Sequence, residues 1–177
     1  MSAVFEGILL PRRTDDDWCP ELKRLHESQG DGIRIGLAAL DRVVLAIVRV
    51  DDRSAPFSEK FDELGAALSS TFGKALVVRY DSRIGHRSST LYAGGFESAA
   101  FAEDNVTFSL LDENGWVAGD RVSSEELDGE YEIIENAIEL GLERLGAGVW
   151  EDLIFLIYNQ EDLVDADRWE KPGTGGA

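Results

Sequence analysis

Apolar residues recur in this chain at two spacings, and the spacing changes from segment to segment. Val4 to Leu10 is a short, mostly apolar run closed by Pro11, the pattern of a first strand. Thr14 or one of Asp15, Asp16 and Asp17 then caps a helix reaching about Ser28. Pro20 suits only a first helical turn, so this helix begins near Cys19. Gln29-Gly30-Asp31-Gly32 turns the chain, and two strands follow, Ile33 to Leu40 and Arg42 to Val50, joined tightly at Asp41. From Pro56 or Ser58, Phe61, Leu64, Ala67, Leu68 and Phe72 keep helical spacing up to Gly73.

Lys74 to Tyr80 is a strand of the fully buried type, the chain turns over Asp81 to Arg87, and Ser88 to Ala93 returns. Gly94-Gly95 breaks the strand before another from Phe96 to Phe101. Val106, Phe108 and Leu110 alternate with polar or small residues, and Asp112-Glu113-Asn114-Gly115 reads as a hairpin turn centred on Asn-Gly, with Trp116 and Val117 opening the return strand. Ser123 and Glu126 have capping-box spacing, with Asp128 a rival cap. Leu127, Tyr131, Ile134, Ile138, Leu142 and Leu145 then make one stripe of a long helix ended by Gly146 and Gly148. A last helix runs from Trp150 to about Val164, with a strand over Leu153 to Tyr158 as its rival.

Such an order is not a strict strand–helix alternation. It predicts an α+β fold: an antiparallel or mixed sheet with about four helices packed on it. Length predicts one domain over residues 1–170, and the Gly-rich end predicts a flexible tail over 171–177.

Charge changes the picture more than composition does. Residues 1–88 carry 13 Lys and Arg against 14 Asp and Glu, whereas residues 89–177 carry 4 against 21, so nearly all of the net −18 lies in the second half. That field disfavours nucleic acid and anionic membranes as ligands and suits a basic protein partner. The longest apolar run, Val43 to Val48, is too short to span a bilayer, and no leader pattern opens the chain, so a cytoplasmic protein is expected.

Within the long helix expected over 123–145, Asp128, Glu132, Glu135, Glu139 and Glu143 fall on one side at steps of four and three. Like charges at that spacing cost about 0.2–0.5 kcal/mol per pair, so the stripe reads either as a docking face or as a solvated face of an acidic protein. Glu161, Asp162, Asp165, Asp167 and Glu170 extend the acid beyond it, and Trp169 would supply an aromatic anchor.

The basic residues concentrate once, in Arg79-Tyr80-Asp81-Ser82-Arg83-Ile84-Gly85-His86-Arg87-Ser88-Ser89. Arg79, Arg83, His86 and Arg87 could together hold a phosphate or carboxylate, or could pair with the acidic half of the chain. Asp81, His86 and Ser88 have the residue types of a catalytic triad, but no Gly-x-Ser-x-Gly elbow accompanies them. Cys19, beside three aspartates, is disfavoured as a thiolate, and His26 reads as a surface helix residue. Neither metal-ligand spacing nor a phosphate loop is present: Gly30, Gly32 and Gly36 miss the dinucleotide pattern by one residue.

The leading expectation is therefore a non-enzymatic, inhibitor- or immunity-like protein without a cofactor. It engages a basic protein through Glu132, Glu135, Glu139, Glu143, Asp165 and Trp169. The alternative is an anion-binding protein or small-molecule enzyme built on the 79–89 loop. A third is a homo-oligomer joined through Leu153, Phe155, Leu156 and Ile157.

Overall fold

The computed structural model describes residues 2–11, 35–39, 44–49, 57, 59–103, 110–112, 115–117, 132–133, 136–146 and 148–165. Alternation along the first strand decides the architecture. In β1 (Val4–Pro11) the side chains of Ile8 and Leu10 enter one hydrophobic cluster, while Phe5 and Leu9 enter another. A strand apolar on both faces must be covered on both faces. It is central in a seven-stranded sheet formed with β2 (Ile35–Ala39), β3 (Val44–Arg49), β4 (Lys74–Asp81), β5 (His86–Ala93), β6 (Phe96–Glu103) and β10 (Val164–Asp165), in the order β10-β2-β3-β1-β4-β5-β6. Every neighbouring pair is antiparallel, which resolves the choice between an antiparallel and a mixed sheet. A separate three-stranded sheet joins β7 (Leu110–Asp112) to β8 (Gly115–Val117) and β9 (Glu132–Ile133).

The helix α1 (Glu59–Phe72) covers one face of the large sheet, setting Phe61, Leu64, Leu68 and Phe72 against Ile8, Leu10, Ile47, Ala75 and Val77. On the other face α2 (Ala137–Leu145) and α3 (Trp150–Tyr158) set Ile138, Leu142, Leu145, Leu153, Leu156 and Ile157 against Phe5, Leu9, Val48, Leu76, Val78 and Leu91. The α+β expectation holds, with three α-helices among the described residues. The helix expected from about Cys19 to Ser28 lies outside them, as do the 171–177 tail, Trp169 and Glu135.

Turn chemistry joins β5 to β6. Ala93 pairs with Phe96, leaving Gly94-Gly95 as a two-residue loop whose φ values of 58° and 92° are both left-handed. That backbone is open to glycine at little steric cost and its twist matches the strands. The Gly95 amide donates to Ser69 Oγ at 2.9 Å, tying the loop to α1. In the smaller sheet Asp112 pairs with Gly115, and Glu113 and Asn114 between them lie outside the described residues.

Two helices differ from the sequence-based expectation. Among the described residues of the helix predicted over 123–145, only Ala137–Leu145 are helical: Glu132 and Ile133 form β9, where Glu132 pairs across the strands with Leu111, and 123–131 lie outside the described residues. Asn136 interrupts the stripe. Its φ of −143° and ψ of 95° are extended, and its side chain accepts from the Glu139 amide, making it the N-cap of a helix that begins one residue later. Gly146, at φ 79°, closes α2 by donating to the carbonyls of Leu142 and Glu143. The last helix stops at Tyr158 rather than near Val164, and the rival strand over 153–158 is absent. Asn159 turns its amide back to the Phe155 carbonyl at 2.7 Å, a 3₁₀ turn spans Gln160–Asp162, and β10 follows. Gln160 locks this corner by donating to the carbonyls of Val4 and Ile157, each at 2.9 Å.

Candidate functional site

The basic segment 79–89 lies at the end of β4, in the turn 82–85 and in β5. Strand alternation sends its arginines in different directions. Arg79 projects to the α1 face, where Nε donates to Glu6 Oε2 at 2.7 Å, and Nη1 and Nη2 donate to the two carboxylate oxygens of Asp62 at 3.2 and 2.9 Å. Tyr92 completes the seam, its hydroxyl donating to Asp62 Oδ1 at 3.1 Å. Phe57 lies beneath the guanidinium, 5.8 Å from ring centroid to Cζ. Burial works against the Arg79 charge, but the hydrogen bonds and charges of Asp62 and Glu6 outweigh it and hold its pKa above the ordinary value.

Arg83 folds back inside the turn. Its Nε and Nη2 donate to the two oxygens of Asp81 at 2.9 and 2.8 Å, and its backbone amide donates to Asp81 Oδ1 at 3.0 Å. The Arg83 hydrogen bond, against the opposing effect of burial, keeps the Asp81 carboxyl below its usual pKa. Arg87 forms an ion pair with Glu103, its cross-strand neighbour on β6. All three arginines thus already hold carboxylates, and an anion arriving here would have to displace one. Of the partners, only Glu103 belongs to the acidic half; Glu6, Asp62 and Asp81 come from the balanced half.

His86 and Ser88 do meet, with Nε2 and Oγ at 3.0 Å, and the His86 ring lies 5.6 Å from that of Phe57. Asp81 stands opposite His86 in the ladder, but both of its oxygens serve Arg83. A triad needs its carboxylate to orient the imidazole, and this one orients a guanidinium. Among the described residues no group of three His, Cys, Asp or Glu side chains is placed to hold a metal ion, and no helix is long and apolar enough to cross a membrane.

The acidic candidates are dispersed across several elements. Glu139 and Glu143 lie on α2, where both are exposed; Glu132 is on β9 and Asp165 on β10, opposite Gly36. Glu132 therefore does not share a helix face with Glu139 and Glu143. The expected oligomer interface also divides: Leu153, Leu156 and Ile157 are in the core, and only Phe155 faces outward.

The outward side of α3 escaped the sequence reading. Glu151, Phe155 and Tyr158 stand at steps of four and three on its exposed side, and Asp152 is exposed beside them. Their periodicity was the available signal, because it separates Phe155 from Leu153 and Ile157 by nearly half a turn and from Leu156 by a little over a quarter. Tyr158 reaches back over the sheet, its hydroxyl 3.0 Å from that of Tyr80 in an edge-on ring pair. Comparison with family models, curated proteins and solved structures finds no match for this chain.

Proposed function

We propose that this is a non-enzymatic binding protein whose acidic second half engages a basic protein, in the manner of an inhibitor or immunity protein. The observation carrying this reading is the division of charge, 4 basic against 21 acidic residues over 89–177. Among the described residues the pairs of Arg79, Arg83 and Arg87 draw on that acid once, at Glu103, and three of their four carboxylates lie in the first half. Exposed Glu139, Glu143, Glu151, Asp152 and Glu161 are left to set the outward field. Such a field steers a cationic partner and repels nucleic acid.

The test is affinity capture with the full chain, elution in steps of rising salt, and measurement of the recovered partner's affinity. A basic protein released by salt is expected. Glu139, Glu143, Glu151, Asp152 and Glu161 changed together to their amides should weaken it roughly tenfold, the sum of five rim charges at a few tenths of a kcal/mol each. Unaltered affinity in that variant overturns the reading.

A further inference from the structure

Five large hydrophobic side chains stand exposed among the described residues, and three of them, Val149, Phe155 and Tyr158, belong to α3 and the residue that caps it. Phe155 is 65% exposed, Val149 48% and Tyr158 36%. Scattered single exposures need no explanation, but a concentration on one short helix does. The fold does not require Phe155: the buried side of α3 is complete with Leu153, Leu156 and Ile157.

Acid frames these rings. Glu151 and Asp152 precede them and Glu161 follows, all exposed, and the sequence from Trp150 to Asp162 contains no Lys or Arg. The helix dipole favours Glu151 and Asp152 in the first turn, yet it disfavours a carboxylate such as Glu161 just past the carboxyl end. A cation seated there would pair with Glu161 and offset the negative end of the dipole, while the carbonyls of Phe155, Leu156 and Ile157 already accept from Asn159 and Gln160. Aromatic faces between carboxylates match one side chain chemistry best. A guanidinium stacks on the ring and forks onto a carboxylate, whereas an ammonium does only the second. A second copy of this chain fits poorly, since it would bring the same acids face to face in a molecule of net charge −18.

We infer that the outward ridge of α3, Phe155 and Tyr158 framed by Glu151, Asp152 and Glu161, is the docking surface for an arginine-rich segment of the basic partner. This rests on the proposed function and names the place and chemistry of the contact.

The probes are fluorescent octa-arginine and octa-lysine peptides, titrated against the full chain by anisotropy over a range of salt. Octa-arginine is expected to bind several-fold more tightly than octa-lysine. Phe155→Ser should weaken octa-arginine about tenfold, the loss typical of an aromatic anchor. Tyr158→Phe, which keeps the ring, should bind as the parent chain does, and the triple variant E151Q, D152N, E161Q should show a flatter salt dependence. Circular dichroism checks that the variants fold; Phe155 is exposed, so its loss leaves the core intact. Equal octa-arginine affinity in the parent chain, Phe155→Ser and Tyr158→Ala would overturn the α3 surface and leave the acidic binding reading standing. No binding of either peptide by the parent chain at low salt overturns that reading, and the ridge with it. A dimer in sedimentation that Phe155→Ser dissolves also overturns the proposal, by making the ridge a contact between copies.

Discussion

The two faces of the large sheet are built from the same strands but handle charge differently. Under α1 a polar seam crosses the apolar layer: Glu6 and Arg79 from adjacent strands meet Asp62 of the helix and Tyr92 of β5. Under α2 and α3 the cluster is apolar from Phe5 to Ile157, and its deepest polar contact is neutral, Ser89 Oγ donating to the Ala137 carbonyl at 2.6 Å. Charge is thus used at the centre of one side, whereas on the other the ion pair of Arg87 with Glu103 lies out at the edge strand β6 and the exposed acids of α2 and α3 face solvent. The α1 face resembles a closed structural unit. The α2–α3 face keeps the carboxylates of its two helices at the surface.

Removing the centre of the seam breaks the comparison most directly. Arg79→Met leaves Glu6, whose side chain is 4% exposed, beside Asp62 without a guanidinium between them. Stranding a buried carboxylate typically costs about 3–5 kcal/mol, and a value near the lower end is expected because Asp62 is partly solvated. Urea unfolding measures it. Adding Glu6→Gln to Arg79→Met should recover part of the loss, because the stranded charge is removed. No recovery would mean that Arg79 acts by packing over Phe57 rather than by pairing.

This contrast also marks how far the sequence was legible. Apolar runs located β1, β3 and β4 within a few residues, because burial on both faces leaves a dense pattern, and helical spacing located α1. The helix read from Leu127 to Leu145 does not hold at Glu132 and Ile133, because its spacing carried straight through Asn136. Asn136 with Glu139 three residues on is itself a helix start, and local capping overrode the longer periodicity. The basic cluster misled for a different reason. Adjacency in sequence is not adjacency in space on a strand, where Arg79 and Arg87 leave on opposite faces. Glu6 was the overlooked clue: a carboxylate inside the apolar run of β1 requires a partner.

A smaller effect sharpens the comparison at the helix–sheet contacts. Each face has a glycine that lets its helix approach. A Cβ on Gly65 of α1 would meet Val77 Cγ2 at 2.6 Å, and one on Gly141 of α2 would strike Ser89 and stand 3.0 Å from Leu76 Cδ1. Gly141→Ala gains up to about 1 kcal/mol of helix propensity but overpacks the contact and disturbs the Ser89–Ala137 hydrogen bond. A net loss of about 1–2 kcal/mol in urea unfolding is expected. Combined with Ser89→Ala, which clears the space, the loss should shrink. If Gly141→Ala instead stabilises the chain, α2 is not held at its present distance by that glycine.

The smallest effect separates two tyrosines by what raises their pKa. Tyr92, on the α1 side, is raised first by burial and then by the Asp62 charge. Tyr80, on the other side, is pushed up from 10.0 to about 12 by burial and by its hydroxyl contact with Tyr158, against the lowering pull of Arg87. A raised folded pKa favours the protonated form, so this contribution is fully present below pH 10 and is lost as pH rises through about 12. Absorbance of tyrosinate near 295 nm follows the ionisation. Tyr158→Phe removes the hydroxyl and its charge but keeps most of the burial, so the Tyr80 transition should move only part of the way back toward 10. Asp62→Asn should lower the Tyr92 transition and leave that of Tyr80 in place. If Tyr158→Phe leaves the Tyr80 transition in place, the hydroxyl contact contributes nothing to it, and burial alone raises Tyr80.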